Sequence, residues 1–309
     1  LPMDQKKKVI LIAGPTASGK SEIAIKLAQR LNGEIINADS MQIYKEISIL
    51  TSKPITQDKK RAKHHLYGFV SVKKNFSTGH WLKFATKKIE ELWKINKIPI
   101  LVGGTGLYFK SLVDGFVKIP EIPKKVRNST RKLHTSIKQS KFYIKLIKID
   151  PLAKKFISPN DSQRSIRAYE VKKFTKKSLF DLTKKTKPKY DNDIFRKIFI
   201  NIPKEELHKK IEKRVDKMIN SGVIKEVEKF SKMKVRKDLS SNKIIGVKEI
   251  KNYLDGSITL VEAKELIAQK TRQYAKRQFT WSRGHMKSWN MIYSSNVEDL
   301  LEKMINKIS

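Results

Sequence analysis

Gly14-Pro15-Thr16-Ala17-Ser18-Gly19-Lys20-Ser21 is the most informative stretch of the chain, with the spacing G-x-x-x-x-G-K-[ST]. Residues 8–12 before it are short, β-branched and closed by a Gly-Pro turn, which predicts a buried parallel strand. Residues 18–31 after it place apolar side chains at helical spacing. In this context the loop amides point into one concavity and Lys20 adds a positive charge. The stretch therefore predicts a phosphate-binding loop of the kind found in nucleotide-binding and ATP-binding proteins.

Further strand and helix patterns define the fold class. Strands are predicted at 34–38, 97–102 and 194–202, and a helix is predicted over 78–94. Strands that alternate with helices are typical of an α/β fold. We therefore expect a P-loop protein with a doubly wound parallel sheet and a helical, basic insertion domain.

The insertion is indicated by a change of pattern after residue 117. Residues 118–148 contain mostly basic side chains among their charged positions, and prolines interrupt short helical patterns up to residue 190. The sequence therefore predicts a P-loop core in two parts, 1–117 and 191–309, around a basic helical insertion at 118–190. In the second part of the core, helical patterns are predicted at 203–219, 243–254, 259–283 and 297–308.

The composition limits the possible partners. The chain has 309 residues with 68 Lys plus Arg against 30 Asp plus Glu, a net charge of +38, and 39% of its residues are hydrophobic. That hydrophobic share provides a real core. The charge favours a polyanionic partner, although the excess is mostly lysine, and a genome-wide compositional bias would explain part of it. No apolar run approaches the roughly 20 residues that a membrane helix needs, so we expect a cytoplasmic protein with no membrane contact. Cys is absent, which excludes disulfides and thiolate zinc sites.

Candidate catalytic residues follow two of the predicted strands. Asp39 comes directly after 34–38, and Thr105 follows 97–102 through two glycines. The carboxyl ends of parallel strands share one edge of the sheet, where open α/β sheets bind ligands. A carboxylate beside a phosphate pocket can act as a general base, whereas Asp39 and Thr105 would equally suit helix N-caps. Ser21 is the candidate magnesium ligand, by analogy with other phosphate-binding loops.

Five blocks in the chain resemble the signature blocks of the bacterial tRNA dimethylallyltransferase (IPP transferase) family, in family order from about residue 9 to 284. The blocks are Gly14 to Ser21, Asp39-Ser40-Met41-Gln42, Val102-Gly103-Gly104-Thr105, Asp161-Ser162-Gln163-Arg164 and Thr271-Arg272-Gln273-Tyr274-Ala275-Lys276-Arg277-Gln278. The resemblance implies transfer of a dimethylallyl group from dimethylallyl diphosphate to the exocyclic amine of the adenosine 3′ of the anticodon in tRNA. Diphosphate is then the leaving group, magnesium is the expected cofactor, and we expect a monomer.

The resemblance also implies the roles of individual residues. Asp39 would accept the proton of the amine, and the Thr105 hydroxyl would stabilise charge on the oxygen between the allyl carbon and phosphorus. Arg214 would close over the diphosphate, because its fork grips two phosphate oxygens. The other diphosphate ligands implied are Gly14, Thr16, Ala17, Ser18, Gly19, Lys20 and Ser21.

For tRNA, the resemblance implies contacts on both sides of the insertion boundary. The target adenine must leave the base stack of the anticodon loop to reach the active site. The basic insertion would bind tRNA phosphates beyond that loop. The implied contacts are Asp39, Ser40, Met41, Gln42, Arg127, Gln163, Arg164, Ser165, Ile166, Arg167, Lys243, Gly246 and Lys248. Arg272, Arg277 and Arg283 are weaker candidates for tRNA or diphosphate contacts, because the spacing of Arg272 and Lys276 also suits a solvated helix face.

The chain departs from the family pattern at two segments. It has Leu50-Thr51-Ser52-Lys53-Pro54 where the family usually has Gly-Thr-Ala-Lys-Pro. It has Ile245-Gly246-Val247-Lys248 where the family usually has Val-Gly-Tyr-Arg. The second departure removes a tyrosine and an arginine from an implied tRNA contact.

Three other functions remain open, two from the residues alone and one from the resemblance. A P-loop kinase for a nucleoside or small metabolite would use Asp39 to deprotonate a hydroxyl. A basic nucleic-acid-binding protein would use the loop only as a nucleotide switch. An adenylate isopentenyltransferase would prenylate a free nucleotide.

His64 and His65 have no third ligand nearby in sequence, which is more typical of structural histidines than of a metal site.

Overall fold

The computed structural model describes residues 7–184, 186–293 and 296–308. The chain divides into two compact units, Leu1–Val113 with Tyr190–Ser309, and Asp114–Lys189. The sequence analysis placed the insertion at 118–190. Gly115 has a left-handed backbone with φ +88°, and a Cβ there would lie 2.7 Å from the carbonyl oxygen of Lys187. The two ends of the second unit are therefore in close contact at a position that requires glycine.

The first unit contains a six-stranded sheet in which every strand pair is parallel, in the order β3-β2-β4-β1-β5-β6. This arrangement confirms the predicted fold class. β1 lies in the centre, where Ile10 pairs with Ile100 of β4 and Val9 pairs with Phe195 of β5. The strands are β1 (Val9–Ala13), β2 (Gly33–Asn37), β3 (His64–His65), β4 (Ile98–Gly103), β5 (Phe195–Asn201) and β6 (Asn290–Tyr293).

Helices connect the strands and form the second unit. Two short 3₁₀ helices, Asn192–Ile194 and Ser240–Lys243, complete the regular structure of the described residues. In chain order the α-helices are α1 (Lys20–Arg30), α2 (Thr56–Arg61), α3 (Thr78–Lys94), α4 (Gly106–Val113), α5 (Lys124–Ile149), α6 (Ala153–Phe156), α7 (Ser162–Thr175), α8 (Leu179–Lys184), α9 (Lys204–Asn220), α10 (Val223–Lys232), α11 (Val247–Leu254), α12 (Leu260–His285) and α13 (Val297–Ile308).

The sheet is buried on both faces, which explains why β1 is apolar at every position. Ile10 and Ile12 pack with α1 and α13 on one face, whereas Val9 and Leu11 pack with α3 and α4 on the other. Alternate side chains of a strand point to opposite faces, so a continuous apolar strand needs helices on both sides. A third apolar cluster joins α9, α10, α11 and α12 to residues 43–72.

The second unit is helical. α5 and α7 pack around Phe142, Leu146 and Ala168, which are fully buried. Inside α5, Lys138 has a left-handed φ of 61°, which kinks the helix. The unit therefore has its own small apolar core.

Several predicted boundaries differ from the observed ones. The predicted helix at 243–254 is shorter, because Lys243 ends a 3₁₀ helix and Gly246, at φ +100°, starts α11 at Val247. Pro203 precedes α9 as its N-cap rather than being its first residue. In the described parts of the chain, no helix is both long and apolar enough to cross a bilayer.

Candidate active site

The phosphate-binding loop connects β1 to α1. Gly14 is required by close packing, because a Cβ there would lie 2.9 Å from the carbonyl oxygen of Ile200 in β5. Ala17 and Gly19 have left-handed backbones with φ of 64° and 85°. These two turns bring the chain round so that α1 begins at Lys20, and Ser21 is exposed in its first turn. The geometry gives the helix start and loop amides that an anion site needs.

Lys20 folds its ammonium group over this loop. Its Nζ donates to the carbonyl oxygen of Pro15 and lies 3.4 Å from Ser18 Oγ. Removal from water is the largest influence on this group and lowers its pKa to about 7, with Arg214 adding to the fall and Asp39 opposing it. The charge of Lys20 is therefore poised to change near neutral pH.

Arg214 reaches the same loop from α9. Its Nη1 donates to Thr16 Oγ1 at 2.7 Å. Burial lowers the pKa of Arg214, and the negative charge of Asp39 opposes this shift. Lys20, Arg214 and Asp39 thus influence each other electrostatically, so the predicted diphosphate ligands and the predicted base share one site.

Asp39 lies in an Asx turn just after β2. Its Oδ1 accepts from the amide of Met41 at 2.8 Å, and its own amide donates to Asn37 Oδ1 at 2.8 Å. Residues 39–43 are not helical, so Asp39 is not the helix N-cap that the sequence also allowed. These contacts fix one carboxylate oxygen and leave the other available for a substrate proton.

Thr105 is joined to the Asp39 loop by Ser40. The Ser40 amide donates to Thr105 Oγ1 at 2.9 Å, and Thr105 Oγ1 lies 3.2 Å from Ser40 Oγ. The loops can approach because position 103 is glycine, where a Cβ would lie 2.1 Å from the carbonyl oxygen of Ala38. The two predicted catalytic residues therefore lie on two short loops that are in direct contact.

Gln278 was not predicted as a site residue. Its Oε1 accepts from the Thr16 amide at 2.9 Å, and its Nε2 donates to the Gly104 carbonyl at 2.9 Å. In the sequence, Gln278 occupies the buried stripe of α12 that also contains Ala268, Thr271 and Ala275. The sequence could have indicated Gln278 through this position, because a buried side-chain amide needs hydrogen-bond partners.

The tRNA candidates of the first unit have different surroundings. Gln42 Nε2 donates to the carbonyls of Thr51 and Ser52, each at 2.9 Å, so only its Oε1 is left to accept from a partner. Ser40 and Met41 are half-buried, whereas Lys243 and Lys248 are exposed.

The two departures from the family pattern lie against each other. Gly246 is buried, and a Cβ there would lie 2.4 Å from Leu50 Cδ2. Leu50 therefore packs directly over Gly246, next to the carbonyls that bind Gln42. A side chain larger than glycine at position 246 would displace Leu50.

The second unit holds the other tRNA candidates. Arg164 and Arg167 make ion pairs with Asp161 at 3.4 Å and Glu170 at 3.5 Å. Ser165 is fully buried and accepts from Gln139 Nε2 at 3.2 Å, so it packs inside this unit. Gln163 is exposed, whereas Ile166 is half-buried against the core of the unit. Arg127 is half-buried, and its Nε is a buried donor without a partner among the described residues.

The arginines of α12 have mixed surroundings. Arg272 lies 3.4 Å from Glu212 of α9, and Arg277 lies over the Tyr274 ring at 5.8 Å. Arg283 is exposed in the last turn. Arg272 is therefore engaged in a helix-to-helix ion pair.

Potential metal ligands are sparse in the described residues. His65 bonds Glu34 at 2.6 Å and His64 bonds the Ala62 carbonyl at 2.8 Å. Residues 7–184, 186–293 and 296–308 contain no group of three or more His, Cys, Asp or Glu able to hold a metal. A magnesium ion at the loop would therefore rely on the exposed Ser21 hydroxyl together with ligand phosphate oxygens, a set that suits its preference for oxygen and water.

Comparisons with known proteins identify the family. The model of the IPP transferase family matches residues 42–285. The tRNA dimethylallyltransferase of Pelagibacter ubique strain HTCC1062 is 53% identical over 302 residues, which cover 98% of this chain and 96% of that relative. The chain belongs to the IPP transferase family. The matched residues include Thr105, Arg214 and Gln278, and the Pelagibacter alignment covers nearly all of the chain.

Solved structures of the IPP transferase family share this fold. The tRNA isopentenylpyrophosphate transferase of Bacillus halodurans is 32% identical with a TM-score of 0.68, covering 98% of this chain and 97% of that one. A eukaryotic dimethylallyltransferase captured acting on tRNA is 30% identical with a TM-score of 0.81, covering 94% of this chain and 75% of that one. The similarity therefore extends through both units of the chain.

Proposed function

We propose that this member of the IPP transferase family is a tRNA dimethylallyltransferase. It transfers the dimethylallyl group of dimethylallyl diphosphate to the exocyclic amine of the adenosine 3′ of the anticodon. The contact between Ser40 and Thr105 carries the proposal, because it joins the loop of a carboxylate to the loop of a hydroxyl beside a phosphate cradle. A relative that is 53% identical and named tRNA dimethylallyltransferase supports it.

The reaction needs a base at the nucleophile. The bond from the allyl carbon to oxygen breaks, a bond to the adenine nitrogen forms, and the amine must lose a proton. Asp39 suits this role because Met41 holds one carboxylate oxygen and leaves the other to accept the proton. An extruded purine would bring its amine to this carboxylate.

The leaving group needs positive charge and donors. Lys20, the loop amides and Arg214 would hold the diphosphate, and the Thr105 hydroxyl would donate to the oxygen that gains charge as the carbon–oxygen bond breaks. Arg214 lies within hydrogen-bond reach of the loop at Thr16, which supports its assignment. A bound diphosphate would also raise the lowered pKa of Lys20 and restore its charge.

Magnesium is the proposed cofactor. Ser21 would be its only protein ligand at the loop, and the remaining ligands would be diphosphate oxygens and water. When bound, the ion would neutralise part of the diphosphate charge. Lys20 and Arg214 bind and orient the same phosphate groups from the protein side.

tRNA recognition is proposed for each unit separately. In the first unit, Gln42 would offer its free Oε1 to a base donor, and Lys243 and Lys248 would approach the backbone. In the second unit, Arg127, Gln163, Arg164 and Arg167 would contact the RNA, and nearby lysines would hold phosphates. Ser165 and Ile166 would act by shaping α7. We propose that the enzyme works as a cytoplasmic monomer on the anticodon stem-loop.

The test uses dimethylallyl diphosphate labelled in its allyl group. Incubation with unmodified tRNA and magnesium should transfer the label to RNA without ATP, and mass spectrometry should locate it at the adenosine 3′ of the anticodon. ATP-dependent phosphorylation of a small molecule would support the kinase alternative instead. Preferential labelling of AMP in competition with tRNA would indicate an adenylate isopentenyltransferase, and absence of any covalent transfer would indicate a nucleotide switch.

A further inference from the structure

Gln278 uses both ends of its amide to join two loops. It accepts from the amide of Thr16 in the phosphate-binding loop and donates to the carbonyl of Gly104 in the turn after β4, each at 2.9 Å. The side chain is only 9% exposed. The Thr16 amide and the Gly104 carbonyl are both partly removed from water. A side chain at position 278 that cannot make both hydrogen bonds therefore leaves at least one of these backbone groups without a partner.

Gly104 and Gln278 fit together as a pair. A Cβ at position 104 would lie 2.0 Å from Gln278 Nε2, a distance that excludes any larger residue while glutamine stays in place. The backbone of Gly104 does not have a positive φ, so glycine is needed here for space and not for conformation. The close approach of this turn to α12 is thus built around one side chain.

The two loops carry different parts of the reaction. Thr16 is held on two sides, with its amide bound to Gln278 and its hydroxyl bound to Arg214. Gly104 directly precedes Thr105, whose hydroxyl contacts Ser40. Gln278 therefore lies between the groups that hold the diphosphate and the hydroxyl proposed to act on its bridging oxygen.

We propose that Gln278 is a positioning residue that holds the diphosphate loop in register with the Thr105 turn. The inference rests on the proposed function. A misplacement of about 1 Å in such a constellation can cost roughly a hundredfold in rate, because the donor no longer meets the oxygen on which charge develops. The role of Gln278 is exerted through Thr16 and Gly104, without contact to the reacting atoms.

The first test replaces Gln278→Met, which keeps the unbranched shape and removes both hydrogen bonds. We expect kcat to fall by roughly tenfold to a hundredfold, with the KM for stem-loop RNA within about twofold of the parent. Ser282→Ala is the matched control, because Ser282 is buried in the same helix and donates only to the Phe279 carbonyl. That control should keep the parental kcat. A Gln278→Met enzyme with the parental kcat overturns the inference. So does a fall in kcat that is fully explained by the fraction of enzyme unfolded at the assay temperature, as judged from its melting temperature.

The second test is a double-mutant cycle. Gly104→Ala should lower kcat by pushing the amide of Gln278 away, and Gln278→Ala should lower it by removing the same link. Because Gln278→Ala also frees the space for the new methyl group, the double variant should be no slower than Gln278→Ala alone. If the fall in kcat of the double variant equals the product of the two single falls, the substitutions act independently, and the proposal is overturned. An inactive parent enzyme would instead count against the proposed function.

Discussion

The amide of Ser40 donates to Oγ1 of Thr105 across 2.9 Å, which joins the loop after β2 to the loop after β4. Asp39 precedes Ser40, so the proposed base and the proposed polarising hydroxyl are separated by one residue and one hydrogen bond. The contact uses an acceptor lone pair of Thr105 and leaves its hydroxyl hydrogen free to change partner from Ser40 Oγ, at 3.2 Å, to a substrate oxygen. The Thr105 hydroxyl can therefore hold the Ser40 loop in place before the reaction and donate its hydrogen to the substrate oxygen in the transition state.

Thr105→Val tests this hydroxyl with little change of volume. We expect kcat to fall by roughly a hundredfold, because a donor is removed where negative charge develops, with a smaller change in the KM for dimethylallyl diphosphate. Steady-state kinetics with both substrates varied would separate the two parameters. Thr105→Ser keeps the hydroxyl and is the matched control, which should retain most of kcat. A Thr105→Val enzyme that changes only KM would mean that the hydroxyl binds the diphosphate and does not act on the leaving oxygen.

Asp39→Asn tests the base. The amide oxygen of asparagine can still accept from Met41, so the Asx turn should survive while the proton acceptor is removed. We expect turnover to fall by roughly a hundredfold or more, with the Kd for stem-loop RNA nearly unchanged. Single-turnover labelling and anisotropy with fluorescent RNA measure these quantities. Turnover close to that of the parent would remove Asp39 from the role of base.

Much of the fold follows from the sequence, because buried strands and amphipathic helices have strong patterns. α3 was predicted over 78–94, the range that it occupies, and α13 matches its predicted range of 297–308. β6 escaped prediction because it has only four residues, and the short run of Met291, Ile292 and Tyr293 does not distinguish a strand from a loop. β3 is only His64–His65, which is too short to show a pattern.

Site geometry was harder to predict than the fold, because it depends on contacts between distant segments. Asp39 and Thr105 follow strands that are neighbours, with Asn37 paired to Val102, so their proximity was predictable once the sheet was recognised. Gln278 binds Thr16 and Gly104, which are 262 and 174 positions away along the chain. Helical periodicity predicts that Gln278 faces inward, but the identity of its partners comes only from tertiary structure.

Lys20 should make anion binding sensitive to pH. Burial lowers its pKa to about 7 from the ordinary 10.5, so its charge is lost as pH rises through 7 in the free protein. We expect the affinity for inorganic pyrophosphate to weaken by up to about tenfold per pH unit above that point, until the bound-state pKa is reached. Calorimetric titration at several pH values would measure it. Lys20→Gln is the control, since it retains the ligand's own titration, and an identical pH dependence in both proteins would contradict the prediction.

The same shift has an opposite consequence for folding stability. The unfolded chain holds a proton on Lys20 up to about 10.5, whereas the folded chain releases it near 7. Between these values the unfolded state binds more protons, so the contribution of Lys20 to the free energy of unfolding rises with pH. Lys20→Gln lacks this titrating group, so its free energy of unfolding should show no such rise with pH. The parent gains on the variant as pH rises from 7 to 10.5, which urea unfolding of both proteins measures, and a pH-independent difference would show that Lys20 is not titrating there.

Arg214→Lys separates charge from geometry at the diphosphate. Lysine keeps the positive charge but cannot hold Thr16 Oγ1 and grip two phosphate oxygens at once. We expect the KM for dimethylallyl diphosphate to rise by roughly tenfold to a hundredfold, which corresponds to the removal of a charge-assisted hydrogen bond, with RNA affinity unchanged. Arg236→Lys is the control, because Arg236 pairs with Asp238 at the surface and has no proposed role in binding. Equal effects of the two substitutions would argue against a specific role for Arg214.

The basic second unit should dominate the salt dependence of tRNA binding. Lys124, Lys125 and Arg131 are exposed on α5, where phosphates would be within reach of long side chains. Replacing all three with glutamine should flatten the plot of log K against log salt by roughly 0.7 to 0.9 for each phosphate that is no longer neutralised, because fewer counterions are released. Lys59 and Lys60 are exposed on α2, outside this unit, and form the control pair. Their replacement with glutamine should leave the slope unchanged. If the two sets of substitutions flatten the slope equally per charge removed, the protein attracts tRNA through its overall charge, and the second unit has no specific phosphate contacts.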